Sequence, residues 1–185
     1  MPSDILPGDV VAIESNFKGY LFYVDSKNRL AYLLGPGAGS KNSHFEVKLI
    51  KDKADEPVYV NPEVKQIAAI SWVNPTNDRE IRVYYSANTT KHLSEVYLTN
   101  EGKSSDGKWV KGALQAGNKF EVKAGSSISA TVTRSFDGKP TGIKVYAAED
   151  GKVNQYDLPN ISLFKTEFGD EWENPIIITS KVAGF

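Results

Sequence analysis

The sequence predicts an all-β protein, a β-propeller made of three four-stranded antiparallel units. Two observations predict this fold class. Apolar residues alternate in short runs rich in Val, Ile, Tyr and Phe, bounded by Gly, Asn, Asp and Pro, and nowhere keep helical spacing for more than about a turn. Similar runs also recur about every 60 residues along the chain of 185 residues. The whole chain, 1–185, is therefore expected to form a single propeller-type domain.

The predicted strands follow one another at intervals of about 10 to 15 residues. This spacing is typical of meanders joined by hairpins and not of βαβ units, which need a long crossover between strands. The clearest runs are Val10–Ser15, Tyr20–Val24, Leu30–Leu34, Phe45–Ile50, Gln66–Val73, Glu80–Ser86, His92–Thr99, Lys108–Leu114, Ser127–Thr133, Gly142–Ala147 and Val153–Asp157.

Three landmarks repeat with the same period and divide the chain into repeats of approximately 8–63, 64–125 and 126–185. The first is a strand that begins each repeat, the second is an apolar residue followed by Tyr, and the third is the start of a third strand. They stand respectively at Val10–Ile13, Ile67–Ile70 and Ile128–Thr131; at Phe22–Tyr23, Val83–Tyr84 and Val145–Tyr146; and at Leu30, Leu93 and Val153.

A four-stranded meander of this length cannot cover both of its faces, so such units stack radially as propeller blades or pack as sandwiches, and the tandem period favours the propeller. Known propellers close with roughly 4 to 8 blades, and three blades leave two open flanks with exposed apolar area. We therefore expect a homodimer, in which two chains complete a ring of six blades.

Composition and charge exclude several classes of function. Lys and Arg number 22 against 23 Asp and Glu, with neither sign gathered in a block, so a nucleic-acid partner is not expected. The absence of Cys removes sulfur-based metal sites, and neither His has the spacing of a metal ligand, so no metal and no cofactor is predicted. No apolar run suits membrane insertion, and no signal peptide is visible. A cytoplasmic location, or secretion by a non-classical route, is expected.

The second repeat carries five motifs in a specific order. They are I-A-A-I-S-W at Ile67–Trp72, I-R-V-Y-Y at Ile81–Tyr85, L-S-E at Leu93–Glu95, D-G-K-W-V-K-G at Asp106–Gly112 and G-S-S-I at Gly125–Ile128. This order resembles a blade of the fungal and bacterial fucose-specific lectins, which are six-bladed β-propellers. The resemblance covers about 62 residues and is weak elsewhere.

The resemblance implies a sugar site at Arg82 and Glu95, which match the family residues that clasp the sugar hydroxyls from neighbouring strands. It also implies that Ala113 is the small residue beside the sugar, and that Trp109 serves the site on the preceding side. The chemistry agrees, because a guanidinium beside a carboxylate matches a pair of hydroxyls that donate and accept hydrogen bonds. An aromatic ring covers the apolar face of a pyranose.

The other two repeats depart from this pattern. In the first repeat Leu21 stands at the Arg position and Tyr32 at the Glu position, which excludes the polar clasp there. In the third repeat Lys144 and Gln155 stand at these positions, and an ammonium does not reproduce the guanidinium fork. By the resemblance, the aromatic floor of the Arg82 site comes from the third repeat. The candidates are Trp172, Phe164 and Phe168, although Leu158 stands at a usual tryptophan position.

Several of the residues singled out above also have a structural interpretation that involves no ligand. Arg82 and Glu95 could be a surface ion pair contributing about 0 to 1 kcal/mol. Trp72 is expected in the core, and Trp109 either there or at a ligand. The Gly35–Lys41 run lacks the residue order of a phosphate loop and is predicted to be a hairpin loop, and the carboxylates of Asp170–Glu173 are predicted to be solvated.

The sequence therefore predicts a non-catalytic lectin that binds L-fucose, fucosylated glycans or glycoproteins. The alternative is a lectin-like propeller that has lost sugar binding and acts as a protein interaction module. A propeller glycosidase is a distant third possibility, because no motif predicts converging carboxylates.

Overall fold

The computed structural model describes residues 9–36, 44–74, 77–99, 108–115, 120–153, 159–167 and 171–178, except for the side chains of 115, 150–153 and 159–160. Within these residues the chain forms three four-stranded antiparallel sheets, whose strands follow chain order in each sheet. The predicted fold class is thus confirmed. No helix in the described part of the chain is long and apolar enough to cross a bilayer.

The first sheet, unit 1, begins at Val10. Its first hairpin closes through Asn16 and Phe17, which both have positive φ, 52° and 59°. Positive φ at both central residues is the backbone of a type I′ turn, whose twist matches that of the strands it joins. The strands of unit 1 are β1 Val10–Ser15, β2 Lys18–Val24, β3 Leu30–Leu34 and β4 Glu46–Leu49.

The second sheet, unit 2, has a longer first connection, which runs from Asn74 to Asp78. Its fourth strand is short and leads into a turn of 3₁₀ helix, Ala113–Gln115. The strands of unit 2 are β5 Ile67–Val73, β6 Arg79–Ser86, β7 Leu93–Thr99 and β8 Val110–Lys111.

The third sheet, unit 3, contains the longest strand, and here the sequence-based assignment of its third strand is wrong. The predicted strand Val153–Asp157 does not begin at Val153, because β10 continues through Asp150 and Gly151 and ends at Val153, and residues 154–157 lie outside the described part of the chain. The third strand is β11, which begins at Pro159. The strands of unit 3 are β9 Ile128–Arg134, β10 Pro140–Val153, β11 Pro159–Glu167 and β12 Ile176–Ile177.

The sheets pack face to face through two hydrophobic cores. The first core lies between units 1 and 2, where Phe22 meets Val83 and Trp109. The second core lies between units 2 and 3, where Tyr84 meets Val145 and Phe164. Burying each of these large apolar side chains stabilises the fold by roughly 1.5 to 3 kcal/mol, so the two junctions are stable contacts between sheets.

Backbone hydrogen bonds also join successive units. Segment 57–61 follows unit 1 and bonds to the units on both sides. Its Val58 O accepts a hydrogen bond from Leu30 N of unit 1 at 2.8 Å, and its Asn61 N donates one to Ser86 O of unit 2 at 2.9 Å. Segment 120–123 does the same for units 2 and 3, with bonds from Leu93 N to Phe120 O and from Lys123 N to Ala148 O, both at 2.9 Å. We call these two stretches the linking segments.

Two sheet faces have no neighbouring sheet in the described chain. The outer face of unit 1 carries a cross-strand row of Ala12, Leu21, Leu33 and Val47, and Val47 is 68% exposed. The outer face of unit 3 carries rows that include Lys144, Tyr146, Leu163 and Lys165. These are the two open flanks that a stack of three blades leaves.

Candidate functional site

Arg82 and Glu95 lie on adjacent strands of unit 2, on the face that is turned toward unit 3. Arg82 is paired with Tyr97 and Glu95 with Tyr84 across β6 and β7, so the two charged residues are diagonal neighbours. Arg82 Nη1 lies 3.3 Å from Glu95 Oε2, and the two side chains are 20% and 1% exposed. The structure therefore brings the two predicted residues together in a nearly buried ion pair, and the interpretation as a surface pair is wrong.

The carboxylate of Glu95 is held by three separate parts of the chain. Besides Arg82, its Oε1 accepts hydrogen bonds from the backbone N–H of Leu114 and from the indole Nε1–H of Trp172, both at 3.2 Å. Trp172 belongs to unit 3, so this last bond crosses the junction between the units. A guanidinium, a carboxylate and an indole N–H thus meet between units 2 and 3.

Gly112 is where the backbone of unit 2 approaches this carboxylate. Its N–H donates to Glu95 O at 3.0 Å, and a Cβ at this position would overlap the Cγ, Cδ and Oε1 atoms of Glu95. The predicted neighbour Ala113 lies in the 3₁₀ turn and is exposed. Glycine is required here because of a close approach, and Ala113 stands next to that contact.

Two further residues on the same face complete the surroundings of the Arg82 guanidinium. Its Cζ lies 5.5 Å from the ring centroids of both Trp72 and Tyr97, within cation–π range, and its Nη2 lies 3.5 Å from Glu80 Oε2. Burial disfavours the charge, but the carboxylate of Glu95, with that of Glu80 as a smaller contribution, outweighs it and raises the pKa of Arg82. Arg82 therefore stays cationic, and its Nε has no hydrogen-bond partner among the described residues.

Sequence reasoning missed Glu80 and Tyr97 as parts of this cluster. The period of two along a strand could have found them, because residues 80, 82 and 84 share one face of β6, and 95 and 97 share one face of β7. Trp72, predicted to lie in the core, is 5% exposed in the second core and also contacts Arg82.

Trp109 and Trp172 take equivalent positions at the two junctions. Trp109 packs edge-on against Phe22 of unit 1, with centroids 5.9 Å apart, and Trp172 packs edge-on against Tyr84 of unit 2, with centroids 6.2 Å apart. Trp109 is buried on the face of unit 2 opposite Glu95, so it belongs to the junction with unit 1 and not to the Arg82 site.

Of the other aromatic candidates, Phe164 does not join the cluster. Phe164 is buried in the second core, 5.0 Å from the ring of Phe120. Phe168, Leu158 and Gln155 lie outside the described residues. Trp172 is thus the aromatic candidate that the structure brings to Glu95.

The register corrects which residue of unit 1 corresponds to Arg82. Leu21 points to the outer face of that unit, whereas Tyr20 faces unit 2 and packs 5.7 Å from Tyr32. Tyr32 is paired with Phe22 as Glu95 is paired with Tyr84. Two tyrosines, Tyr20 and Tyr32, therefore replace the guanidinium and the carboxylate in unit 1. The polar clasp is absent there as predicted, but the residue at the Arg position is Tyr20 and not Leu21.

The register of unit 3 changes one position as well. Tyr146, the counterpart of Tyr84, is paired with Leu163 on β11. Leu163 therefore stands where Glu95 stands in unit 2, and assigning Gln155 to this position was wrong. Lys144 remains the counterpart of Arg82, beside Lys165. The described part of unit 3 has no carboxylate at the position of Glu95.

The described residues contain no group of three or more His, Asp or Glu side chains that could hold a metal ion. The Arg82 cluster is instead suited to hydrogen bonding, because it combines planar cationic donors with a carboxylate acceptor and flanking aromatic rings.

Comparison of structures shows the fold to which these sheets belong. A fucose lectin from Kordia zhangzhouensis, solved with methyl-fucoside, superposes with a TM-score of 0.53 at 16% identity, covering 89% of this chain and 96% of that one. A mutant lectin from Aleuria aurantia, solved with Fucα1-6GlcNAc, gives a TM-score of 0.59 at 18% identity. A further structure of that fungal lectin, described as a six-bladed β-propeller with a novel fucose recognition mode, gives 0.59 at 16% identity. At these identities the likeness establishes the propeller fold.

The chain spans about half the length of the Aleuria aurantia lectin, 48% and 47% of the two structures. The fungal lectin is described as six-bladed, so half of its length corresponds to three blades, which is the number of four-stranded sheets described in this chain. No protein-family model matches the chain. No curated protein is similar to it in sequence.

Proposed function

We propose that the chain is a non-catalytic carbohydrate-binding protein whose ligand is L-fucose or a fucosylated glycan. The observation that carries the proposal is the meeting of Arg82, Glu95 and Trp172 at the junction of two propeller blades. Structures similar to this chain include lectins solved with methyl-fucoside and with Fucα1-6GlcNAc, which supports the same ligand class.

The contacts also suggest how a sugar would engage. Glu95 is 1% exposed and already accepts a bond from Trp172, so a sugar hydroxyl reaches the carboxylate only by taking the place of the indole N–H. Arg82 is 20% exposed, but its Nε–H, unpartnered among the described residues, is buried, so the terminal nitrogens of the guanidinium are the donors that a sugar hydroxyl can reach. A hydroxyl pair that bonds both groups replaces the lost hydrogen bond, and the ring of Trp172 can then cover the apolar face of the sugar.

Isothermal titration with L-fucose tests the proposal directly. The wild-type protein should bind, and Arg82→Ala should abolish the heat of binding. Arg79→Ala is the matched control, because Arg79 lies on the same strand, faces the other way and packs on Phe17. Equal binding by Arg82→Ala and wild type would refute the site.

A second candidate function rests on the partners that the Glu95 carboxylate already has within the protein. Its carboxylate is hydrogen bonded by Leu114 and Trp172 and paired with Arg82, so the cluster can also act as a structural joint between blades. The protein would then be a protein interaction module with a lectin scaffold. A folded wild-type protein that gives no signal with L-fucose or on a glycan array supports this second function and contradicts the first.

We further propose that two chains form a homodimer with a closed ring. The row Ala12, Leu21, Leu33 and Val47 leaves an apolar sheet face open, and such a face normally has a partner. Pairing it with the outer face of unit 3 in a second copy makes two identical junctions. The dimer also carries two Arg82 sites, which strengthens attachment to a glycan-rich surface through effective concentration.

Light scattering tests the dimer. Val47→Glu places a charge in the open face and should yield monomers, whereas Val73→Glu, at a 40% exposed position of unit 2, should leave the mass unchanged. A monomeric wild-type protein at micromolar concentration would refute the proposal.

A further inference from the structure

A cleft lies at the junction between units 1 and 2, on the opposite side of unit 2 from Arg82. It has a volume of about 290 Å³, and Tyr32 and Trp109 contribute to its floor. Its walls come from β4, the turn that follows it, and the two residues that precede β8. The remaining lining residues are Lys48, Leu49, Lys51, Asp52, Lys53, Asp55 and Lys108.

The cleft differs from the Arg82 site in its charge. Four lysines and two aspartates line it, so its walls carry a net positive charge. Lys51 is paired with Asp55 at 3.0 Å, and Asp52 is paired with Lys111 of unit 2 at 2.8 Å, which ties the cleft wall to the neighbouring blade. The hydrogen bond from Lys111 holds the pKa of Asp52 below its ordinary value, so that bridge is charged at neutral pH.

Two cations of the cleft are left over after this pairing. Lys53 and Lys108 have no ion-pair partner within the described ranges of the chain, whereas Lys48 is paired with Glu46 outside the cleft at 3.0 Å. Lys53 comes from the turn that follows β4 in unit 1, and Lys108 lies just before β8 in unit 2. Two unpaired ammonium groups from both sides of a concave site favour a ligand that carries negative charge.

We propose that this cleft binds an acidic sugar, a monosaccharide unit bearing a carboxylate or a sulfate. The anion pairs with Lys53 and Lys108, and the sugar ring lies against the atoms of Tyr32 and Trp109 that line the cleft. A neutral deoxy sugar is a poor fit, because the position that corresponds to Glu95 is occupied by Tyr32 and the position of Arg82 by Tyr20. The site is independent of the Arg82 cluster and does not rest on the function proposed above.

The test is titration of the full chain with D-glucuronate and with glucose 6-sulfate, each compared with neutral D-glucose. We expect binding of at least one anionic sugar, no binding of D-glucose, and weaker binding as salt is raised from 50 to 500 mM. Lys108→Gln and Lys53→Gln should each weaken the affinity roughly two- to fivefold, and together should abolish detectable binding.

Two controls separate this site from its alternatives. Lys27→Gln removes an exposed positive charge from the turn between β2 and β3 and should not change the affinity. Arg82→Ala should leave anionic-sugar binding intact even where it abolishes L-fucose binding, so the two proposals can fail separately. The proposal is overturned if neither anionic sugar binds at millimolar concentration, or if Lys27→Gln weakens binding as much as Lys108→Gln does.

Discussion

Replacing Gly112 by Ala should destabilise the protein strongly, because the added methyl group enters the space of the Glu95 side chain. The Cβ would overlap three atoms of that side chain, including Oε1, which accepts the hydrogen bonds from Leu114 and Trp172. Gly112 cannot simply move away, since its own N–H is bonded to Glu95 O. The carboxylate must therefore rotate out of its nearly solvent-free position and lose its partners.

The cost can be bounded from these contacts. Each hydrogen bond to a charged group contributes about 1.5 to 3 kcal/mol, and breaking a buried ion pair costs about 3 to 5 kcal/mol. We expect the free energy of unfolding to fall by about 3 to 5 kcal/mol, within the total of about 5 to 15 kcal/mol that is usual for a folded domain. With a urea m-value of about 2 kcal/mol per molar, the unfolding midpoint should fall by about 2 M.

Urea denaturation followed by Trp fluorescence measures this effect, and Gly19→Ala is the matched control. Gly19 lies in β2, and a Cβ there meets no atom within 4 Å, so the unfolding midpoint of this variant should change by less than about 0.3 M. The reasoning is refuted if Gly112→Ala unfolds at the same urea concentration as Gly19→Ala.

Three further changes test other parts of the structure. Burial disfavours ionisation of Asp25, but hydrogen bonds from Arg29 outweigh it and lower the pKa of Asp25. The stability that the ionised carboxylate contributes is present above about pH 4 and is lost as pH falls through the lowered pKa. Asp25→Asn should therefore show a smaller fall in urea midpoint between pH 5 and pH 3 than wild type does. Phe164→Ala should cost about 3 to 5 kcal/mol in the same assay, since the ring is 2% exposed, whereas Phe136→Ala, at a fully exposed position, should cost less than about 0.5 kcal/mol. Arg82→Lys keeps the charge but not the planar fork, and calorimetry should show at least tenfold weaker L-fucose binding; undiminished affinity would contradict the role given to the guanidinium.

Much of the fold and the centre of the site could be predicted because both depend on local patterns. Strand alternation gives the bounds of β1 and β3 as the structure has them. Adjacent strands within one repeat fix the register between Arg82 and Glu95, so their contact follows from short-range geometry. The partners from elsewhere, Trp172 above all, depend on how separate sheets pack, which no pattern within one repeat determines.

The two misassigned positions have different causes. A shift of one residue moves a strand position to the opposite face of its sheet. In unit 1 the match of Phe22–Tyr23 with Val83–Tyr84 selected Leu21 as the counterpart of Arg82, whereas the strand register matches Phe22 with Tyr84 and so selects Tyr20. In unit 3 the third strand was predicted to begin at Val153, but β10 continues to that residue past an irregular pairing after Ala148, and the third strand begins at Pro159.

The linking segments have a consequence for how a closed ring would come apart. Both junctions inside the chain combine a hydrophobic core with main-chain bonds from a covalently continuous segment, such as the bond from Asn61 N to Ser86 O. A junction between two chains has side-chain packing but no peptide bond crossing it. Dilution should therefore open the ring at those two seams first and release intact half-rings, in which the Arg82 cluster is still assembled.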